Sequence, residues 1–229
     1  MRIVSLVPSA TETIVSWGIT PLACTRFCKQ DHITTVGGTK DPNIAEIIAL
    51  KPDLVVMDRE ENRIEDFESL TRVGIEVHTL HIQSIYDLDS QLSLLAERLG
   101  SKWRACEFGD PTVGTLRAFV PIWRNPWIAL GQSTYGGSLL HHLGINLVPT
   151  VPDKYPLTTI TEVQALSPRV VLAPSEPYPF TKRQLPELQK IASVYLLDGQ
   201  DLFWWGVRTQ SAMARLKKLI DQVLTDVST

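Results

Sequence analysis

Only three cysteines occur in the 229 residues, an odd and small number that excludes a disulfide framework. Long apolar runs are missing too. None approaches the roughly 20 residues of a membrane-spanning helix. Neither sign of charge dominates: 22 basic and 25 acidic side chains leave a net charge of −3. That balance argues against nucleic acid, which favours a basic patch. The chain contains no G-x-S-x-G elbow and no H-E-x-x-H pair, so two common hydrolytic arrangements are excluded. Gly37-Gly38-Thr39-Lys40 is only a fragment of a phosphate loop, with no clear strand before it. Cys24 and Cys28 stand four apart with His32 four further on. This falls short of a four-ligand structural zinc pattern, so no metal site is assigned and the thiols are read as ordinary.

What is present is an ordinary globular balance, 44% hydrophobic and 21% charged. At about 150 residues per domain, the length falls between one domain and two. Six Trp and 15 Pro are the excesses. The apolar run Ile3–Val7 is too short for a secretory core and reads as a first strand. Two locations stay open: cytoplasmic if Met1 is the native start, periplasmic or otherwise extracytoplasmic if a leader was removed.

Strands and helices alternate along the chain. After the first strand, Ser9 and Glu12 have capping-box spacing and open a helix that Gly18 ends. A loop-like stretch runs from Pro21 to Asp41. Asn43 with Glu46 starts a short helix over 44–50, and Leu54–Met57 is a buried strand. Asn62 with Glu65 repeats the capping spacing, and Ile75–Leu80 alternates as a strand. Ser84–Leu99 carries one apolar stripe of Ile85, Leu88, Leu92, Leu95 and Leu99, the clearest helix. Residues 101–118 read as a connector.

The second half repeats the first. Aligning Ile44–Glu60 with Ile160–Glu176 gives seven identities in 17 pairs, including Pro52/Pro168, Val55/Val171 and Glu60/Glu176. Thr13–Ile19 and Leu139–Ile145 both read as helices ending in Gly-Ile. The fold class is therefore α/β, with two pseudo-symmetric Rossmann-like lobes of parallel sheet bridged by a long helix. The expected divisions are an N-terminal lobe over 1–83, a bridging helix and connector over 84–118, and a C-terminal lobe over 119–229.

In open parallel sheets, ligands bind beyond the carboxyl ends of the strands. The loops expected there carry Pro8, Ser9, Ala10, Arg26, Phe27, Glu60 and Glu61 in the first lobe. In the second they carry Trp123, Trp127, Tyr135, Glu176, Tyr178, Phe180, Trp204, Trp205 and Arg208. Four of the six Trp fall in these loops. Flat rings with a polar edge suit a large, partly apolar ligand in a cleft between the lobes. The Trp204-Trp205 pair is expected to be exposed to that cleft. Glu60, Glu61, Glu176 and Cys28 could serve an enzyme, but no catalytic constellation meets the role test.

Arg2-Ile-Val-Ser-Leu-Val-Pro-Ser-Ala-Thr-Glu12 resembles the opening of the cobalamin- and ferric-siderophore-binding components of ABC importers. So do Val36–Asn43 with Lys51–Val55, and Ser167–Leu172. The resemblance spans nearly the whole chain in order. It implies two lobes of the helical-backbone, chelatase-like metal-receptor type and a non-enzymatic carrier, with no intrinsic cofactor. Its ligand would be a metal chelate: a corrinoid such as cobalamin, haem or a ferric siderophore. The expected partners are that small molecule and an ABC permease, with the protein a monomer. The resemblance matches Pro8, Ser9 and Ala10, then Trp123 and Trp127, then Trp204 or Trp205 before Arg208 as ligand contacts. Asp58 stands where cobalamin binders carry a tryptophan. Permease-docking glutamates would be Glu61 or Glu65 in the first lobe and Glu176 in the second. A cytoplasmic chelate-binding or sensing protein that never meets a permease is the alternative.

Overall fold

The computed structural model describes residues 1–114 and 116–228. The chain divides into two compact units. Unit 1 comprises Met1–Ile82, Tyr86–Cys106 and Trp205–Arg208; unit 2 comprises Gln83–Ile85, Glu107–Trp204 and the chain from Thr209 onward.

Unit 1 begins with β1 (Ile3–Ser5), α1 (Pro8–Ser16), β2 (Ala23–Cys24) and β3 (Thr34–Thr35). It continues with α2 (Ile44–Ala49), β4 (Leu54–Asp58), α3 (Ile64–Arg72), β5 (Val77–Leu80) and α4 (Leu88–Arg98). The strands form one parallel sheet in the order β3-β2-β1-β4-β5. Val4, Leu6, Ile47, Val55, Met57 and Leu70 close its core. β2 and β3 lie inside the stretch expected to be loop. Two residues each, they are too short to leave a period-2 pattern.

Unit 2 opens with β6 (Leu116–Phe119), β7 (Pro121–Trp123), β8 (Trp127–Ala129), α5 (Tyr135–His142), β9 (Ile145–Val148) and β10 (Leu157–Thr158). There follow α6 (Ile160–Ala165), β11 (Val170–Pro174), α7 (Leu185–Leu188), β12 (Ser193–Leu197), α8 (Gly199–Phe203) and α9 (Thr209–Ser228). Its parallel sheet runs β12-β11-β6-β9, and β10-β8-β7 form a small antiparallel sheet. Phe119, Val148, Val163, Val171, Phe180 and Leu188 fill its core.

The internal repeat is structural. Both sheets place their first strand between the next strand and the post-Pro strand: β2-β1-β4-β5 answers β9-β6-β11-β12. Asn43 caps α2 by accepting from Glu46 N–H at 3.2 Å, and Thr159 caps α6 by accepting from Glu162 N–H at 3.2 Å. Lys51 (φ 45°) and Ser167 (φ 52°) both adopt the left-handed region just before their prolines. A residue preceding Pro is pushed out of the right-handed helical region. Each helix therefore stops there and releases a fully buried strand.

Two expected capping boxes do not form. α1 starts at Pro8 with Val7 as an N-cap that offers no side-chain bond; Pro fits the first helical position unaided, and Glu12 pairs elsewhere. α3 starts after Arg63, while Asn62 is drawn into the sheet end. The expected helix over 84–99 is a 3₁₀ turn at Ile85–Asp87 followed by α4, and Gly100 (φ 66°) lies just past its end. Beyond it, Trp103 donates to Asp89 at 2.8 Å and meets Trp17 edge-on at 6.5 Å.

The unit boundaries depart from a contiguous division because Trp205–Arg208 returns to unit 1. Arg208 holds both Glu12 carboxylate oxygens, at 2.6 and 2.7 Å. Val207 N–H donates to Thr13 Oγ1 at 3.2 Å. Gly206 (φ 104°) lies so close to Thr13 that a Cβ would collide with its hydroxyl.

Candidate functional site

In unit 1 the strand order diverges between β1 and β4, and the carboxyl ends of such neighbours form a ligand crevice in open α/β sheets. The β4 end is tied down by polar bonds. Asp58 Oδ1 accepts from Glu60 N–H (2.8 Å) and Glu61 N–H (3.3 Å). Asn62 Oδ1 accepts from Asp58 N–H at 2.8 Å, and its Nδ2 donates to Leu6 O (3.1 Å) and Thr39 O (2.9 Å). One side chain thus fixes three segments: the β1 end, the Gly37–Lys40 turn and the β4 end. Lys40 Nζ donates to Glu60 O at 2.6 Å, so the phosphate-loop fragment is a structural turn. Sequence reasoning missed Asn62 in this role, because its spacing to Glu65 mimicked a helix cap.

Asp58 is 2% exposed, and its Oδ2 has no hydrogen-bond partner. Burial pushes its carboxyl up, against the opposing pull of the Glu60 and Glu61 N–H groups. It lines a cavity of about 390 Å³ with Arg59, Asn62, Arg63, Phe67 and Thr79.

Several expected ligand contacts of unit 1 are buried or paired within the unit. Pro8, Ser9 and Ala10 are buried in the first turn of α1. Trp205 is 3% exposed. This corrects the expectation of an exposed tryptophan pair; Gly206 and Arg208 anchor this turn on α1. Arg208 engages Glu12 rather than standing open to a ligand. Arg26 and Phe27, by contrast, are exposed. Arg26 bridges Asp41 with both distances 3.0 Å and covers the Phe27 ring at 4.9 Å. Glu60 and Glu61 are half-buried, and Glu65 is exposed in the first turn of α3.

In unit 2 the structure gathers four of the expected aromatics. The loop after β11 brings Tyr178 edge-on to Trp123 at 5.7 Å and against Phe180 at 4.7 Å. Phe180 stacks on Trp127 at 6.1 Å with planes 10° apart. Trp123 is 43% exposed at the tip of the β7–β8 hairpin, whereas Phe180 is buried. The rings form a graded patch, rooted in the core and open at Trp123. Arg124 beside them donates to Glu187 at 2.8 Å, and that carboxylate together with Tyr178 raises its pKa. Glu176 is half-buried and packs on Gly199, whose missing Cβ leaves room for it. Trp204 is half-buried at the end of α8. Tyr135 is buried instead of open, its hydroxyl 2.9 Å from Thr209 Oγ1. A larger cavity of about 640 Å³ lies elsewhere in unit 2, beside α6 and β10.

The thiols are not ordinary. The Cys28 sulfur lies 3.3 Å from both Thr11 Oγ1 and Thr25 Oγ1. The Cys28 thiol donates to Thr11, and its neighbours, Cys24 first and then Thr11 and Thr25, push its pKa down to about 6 against the effect of burial. Among the described residues no group of three or more His, Cys, Asp or Glu side chains is arranged to hold a metal.

A periplasmic binding protein family model matches residues 3–122. The chain belongs to the periplasmic binding protein family. It is 26% identical to the vitamin B12-binding protein of Salmonella paratyphi A over 193 residues, 75% of this chain and 71% of that one. It is 24% identical to the Fe(3+)-citrate-binding protein of Bacillus subtilis over 197 residues, 74% of this chain and 62% of that one. The periplasmic heme-binding protein of Pseudomonas aeruginosa has the same fold, with a TM-score of 0.77 at 19% identity, covering 94% of this chain and 91% of that one. These relatives are solute-binding proteins, not enzymes, and the two-lobed α/β class agrees with them. No helix among the described residues is long and apolar enough to cross a membrane.

Proposed function

We propose that this chain binds a metal chelate (a corrinoid, haem or ferric siderophore) and delivers it to an ABC importer outside the cytoplasm. The observation that carries the reading is the aromatic patch of unit 2. Trp123, Tyr178, Phe180 and Trp127 present flat rings already fixed against one another. A rigid, preordered surface binds a large planar ligand at low entropic cost. The relatives named for vitamin B12 and ferric citrate support the chelate class. Arg26, Phe27 and Glu60 are the proposed ligand residues of unit 1. Glu65 or Glu61 in unit 1 and Glu176 in unit 2 are the proposed docking carboxylates for permease arginines.

Titration with cobalamin, cobinamide, haem and ferric citrate, read by tryptophan fluorescence, tests the ligand class. Saturable quenching by at least one at micromolar concentration is expected; its absence with all four overturns the reading. Glu65→Lys is expected to lower uptake while leaving ligand affinity unchanged. Unchanged uptake would remove Glu65 from docking.

A further inference from the structure

We propose that the cavity beside β4 and α3 in unit 1 binds a small zwitterion, an α-amino acid with an apolar side chain, its carboxylate held by Arg59 and Arg63 and its ammonium by Asp58. The site uses none of the residues assigned to the chelate, so the proposal holds whichever solute the protein carries. It rests on three observations: a cavity of suitable size, a buried carboxylate oxygen without a donor, and two guanidiniums without an anion.

The turn between β4 and α3 builds the cavity. Asp58 ends β4 and Arg63 is the residue before the first turn of α3. The bonds from Glu60 N–H and Glu61 N–H to Asp58 Oδ1 fix the chain between them. Arg59 and Arg63 thus line one space of about 390 Å³, with Met57 of β4 and Ile64 and Phe67 of α3 as its apolar wall. Ligand pockets run from roughly 300 to 1,000 Å³. This one lies near the small end, which suits a molecule of amino-acid size and not a corrinoid.

The polar groups of the cavity are unfinished. Asp58 is 2% exposed, with Oδ1 filled and Oδ2 accepting from nothing. Its neighbour Asn62 has no donor to spare, because Nδ2 already serves Leu6 O and Thr39 O. A buried carboxylate oxygen is costly unless a donor reaches it. The charges of opposite sign are also unmatched. Arg59 and Arg63 are exposed, and among the described residues neither side chain forms an ion pair or a hydrogen bond. Only the longer-range charge of Asp66 acts on Arg63.

These groups together select the ligand. An inorganic anion would suit the guanidiniums but would bring Asp58 no donor. A simple amine would suit Asp58 but would meet two guanidiniums. An α-amino acid carries both charges on one carbon, and guanidinium–carboxylate bonds are among the strong ones. Its side chain then lies against Met57, Ile64 and Phe67. The internal repeat shows that the sheet does not need these charges. The positions aligned with Asp58 and Arg59 are Pro174 and Ser175, and β11 is as fully buried as β4.

Calorimetric titration of the full chain with L-leucine and L-phenylalanine tests the site. At least one is expected to bind, one molecule per chain. Three analogues of phenylalanine then divide the contacts: 3-phenylpropionate lacks the ammonium, phenethylamine lacks the carboxylate, and 3-phenyllactate has a hydroxyl in place of the ammonium. Each is expected to bind about tenfold more weakly or worse, as the loss of a hydrogen bond to a charged group implies. Arg63→Met, at an exposed position, and Asp58→Asn should each cost phenylalanine a similar factor. The analogue series and Arg63→Met decide the matter even if Asp58→Asn does not fold. No binding of either amino acid at millimolar concentration, 3-phenylpropionate binding as tightly as phenylalanine, or full affinity in Arg63→Met overturns the proposal.

Discussion

Units 1 and 2 share a scaffold and present opposite chemistry on it. In each, a capped short helix stops at a left-handed residue before proline and releases a buried strand. The strands then end differently. β4 ends on Asp58, whose carboxylate organises a turn of backbone N–H groups; the aligned residue ending β11 is Pro174, followed by a loop of stacked rings. Unit 1 fixes its loop by hydrogen bonds and unit 2 fixes its loop by aromatic packing. The repeat preserves what builds the sheet and varies what the sheet presents, which is where ligand chemistry is set.

The contrast extends to the tryptophans, and Trp205 gives the largest expected effect. At 3% exposure it is buried, in a turn that belongs to unit 1. Trp205→Ala should cost about 3–5 kcal/mol in urea unfolding, as large buried rings do. A loss below about 1 kcal/mol would return Trp205 to the list of ligand contacts. Next comes the clamp that holds its turn. Arg208→Met leaves Glu12 half-buried without its two charge-assisted bonds, which should cost about 1–3 kcal/mol. Pairing it with Glu12→Gln in a double-mutant cycle isolates the coupling. Additive losses would mean that the ion pair does not hold the turn.

How much of this was legible in the sequence follows from the range of each interaction. Periodicity found the long stripe of α4 and the buried strands β4 and β11, because their burial repeats along the chain. Capping boxes were read correctly at Asn43, where no tertiary partner competes, and wrongly at Ser9 and Asn62. There Glu12 is taken by Arg208, 196 residues away, and Asn62 by Leu6 and Thr39. The aromatic patch was half legible. Loop position placed Trp123, Trp127, Tyr178 and Phe180, but the same rule also admitted Trp205 and Tyr135, which tertiary packing buries. The surroundings of Cys28 were not legible, because a four-residue cysteine spacing resembles a poor metal motif and says nothing of the hydroxyls of Thr11 and Thr25.

Trp123 sharpens the comparison from the other side. At 43% exposure its removal should cost little stability, less than about 1 kcal/mol. Ligand affinity should fall by about 1–3 kcal/mol if the ring stacks on the solute. Fluorescence titration of Trp123→Ala alongside Trp205→Ala separates the two roles. If Trp123→Ala unfolds as readily as Trp205→Ala and binds as tightly as the parent, the division into scaffold and binding rings fails.

Asp58 gives the smallest effect and tests why one unit keeps a buried carboxylate where the other has proline. Its folded-state pKa lies above the ordinary carboxylate value, with burial as the leading cause. A group raised on folding adds stability below its unfolded pKa and loses it as pH rises through the folded value. Above that window the protein carries a charged, half-satisfied carboxylate in its interior. Asn at this position keeps an oxygen for the Glu60 and Glu61 N–H groups and cannot ionise. Asp58→Asn should therefore gain stability relative to the parent as pH rises from about 4 to about 7, read as diverging urea midpoints. Parallel midpoints across that range would show that Asp58 titrates as an ordinary surface acid. A gain would mean that unit 1 keeps Asp58 at a cost in stability, as a residue retained for what it binds would require.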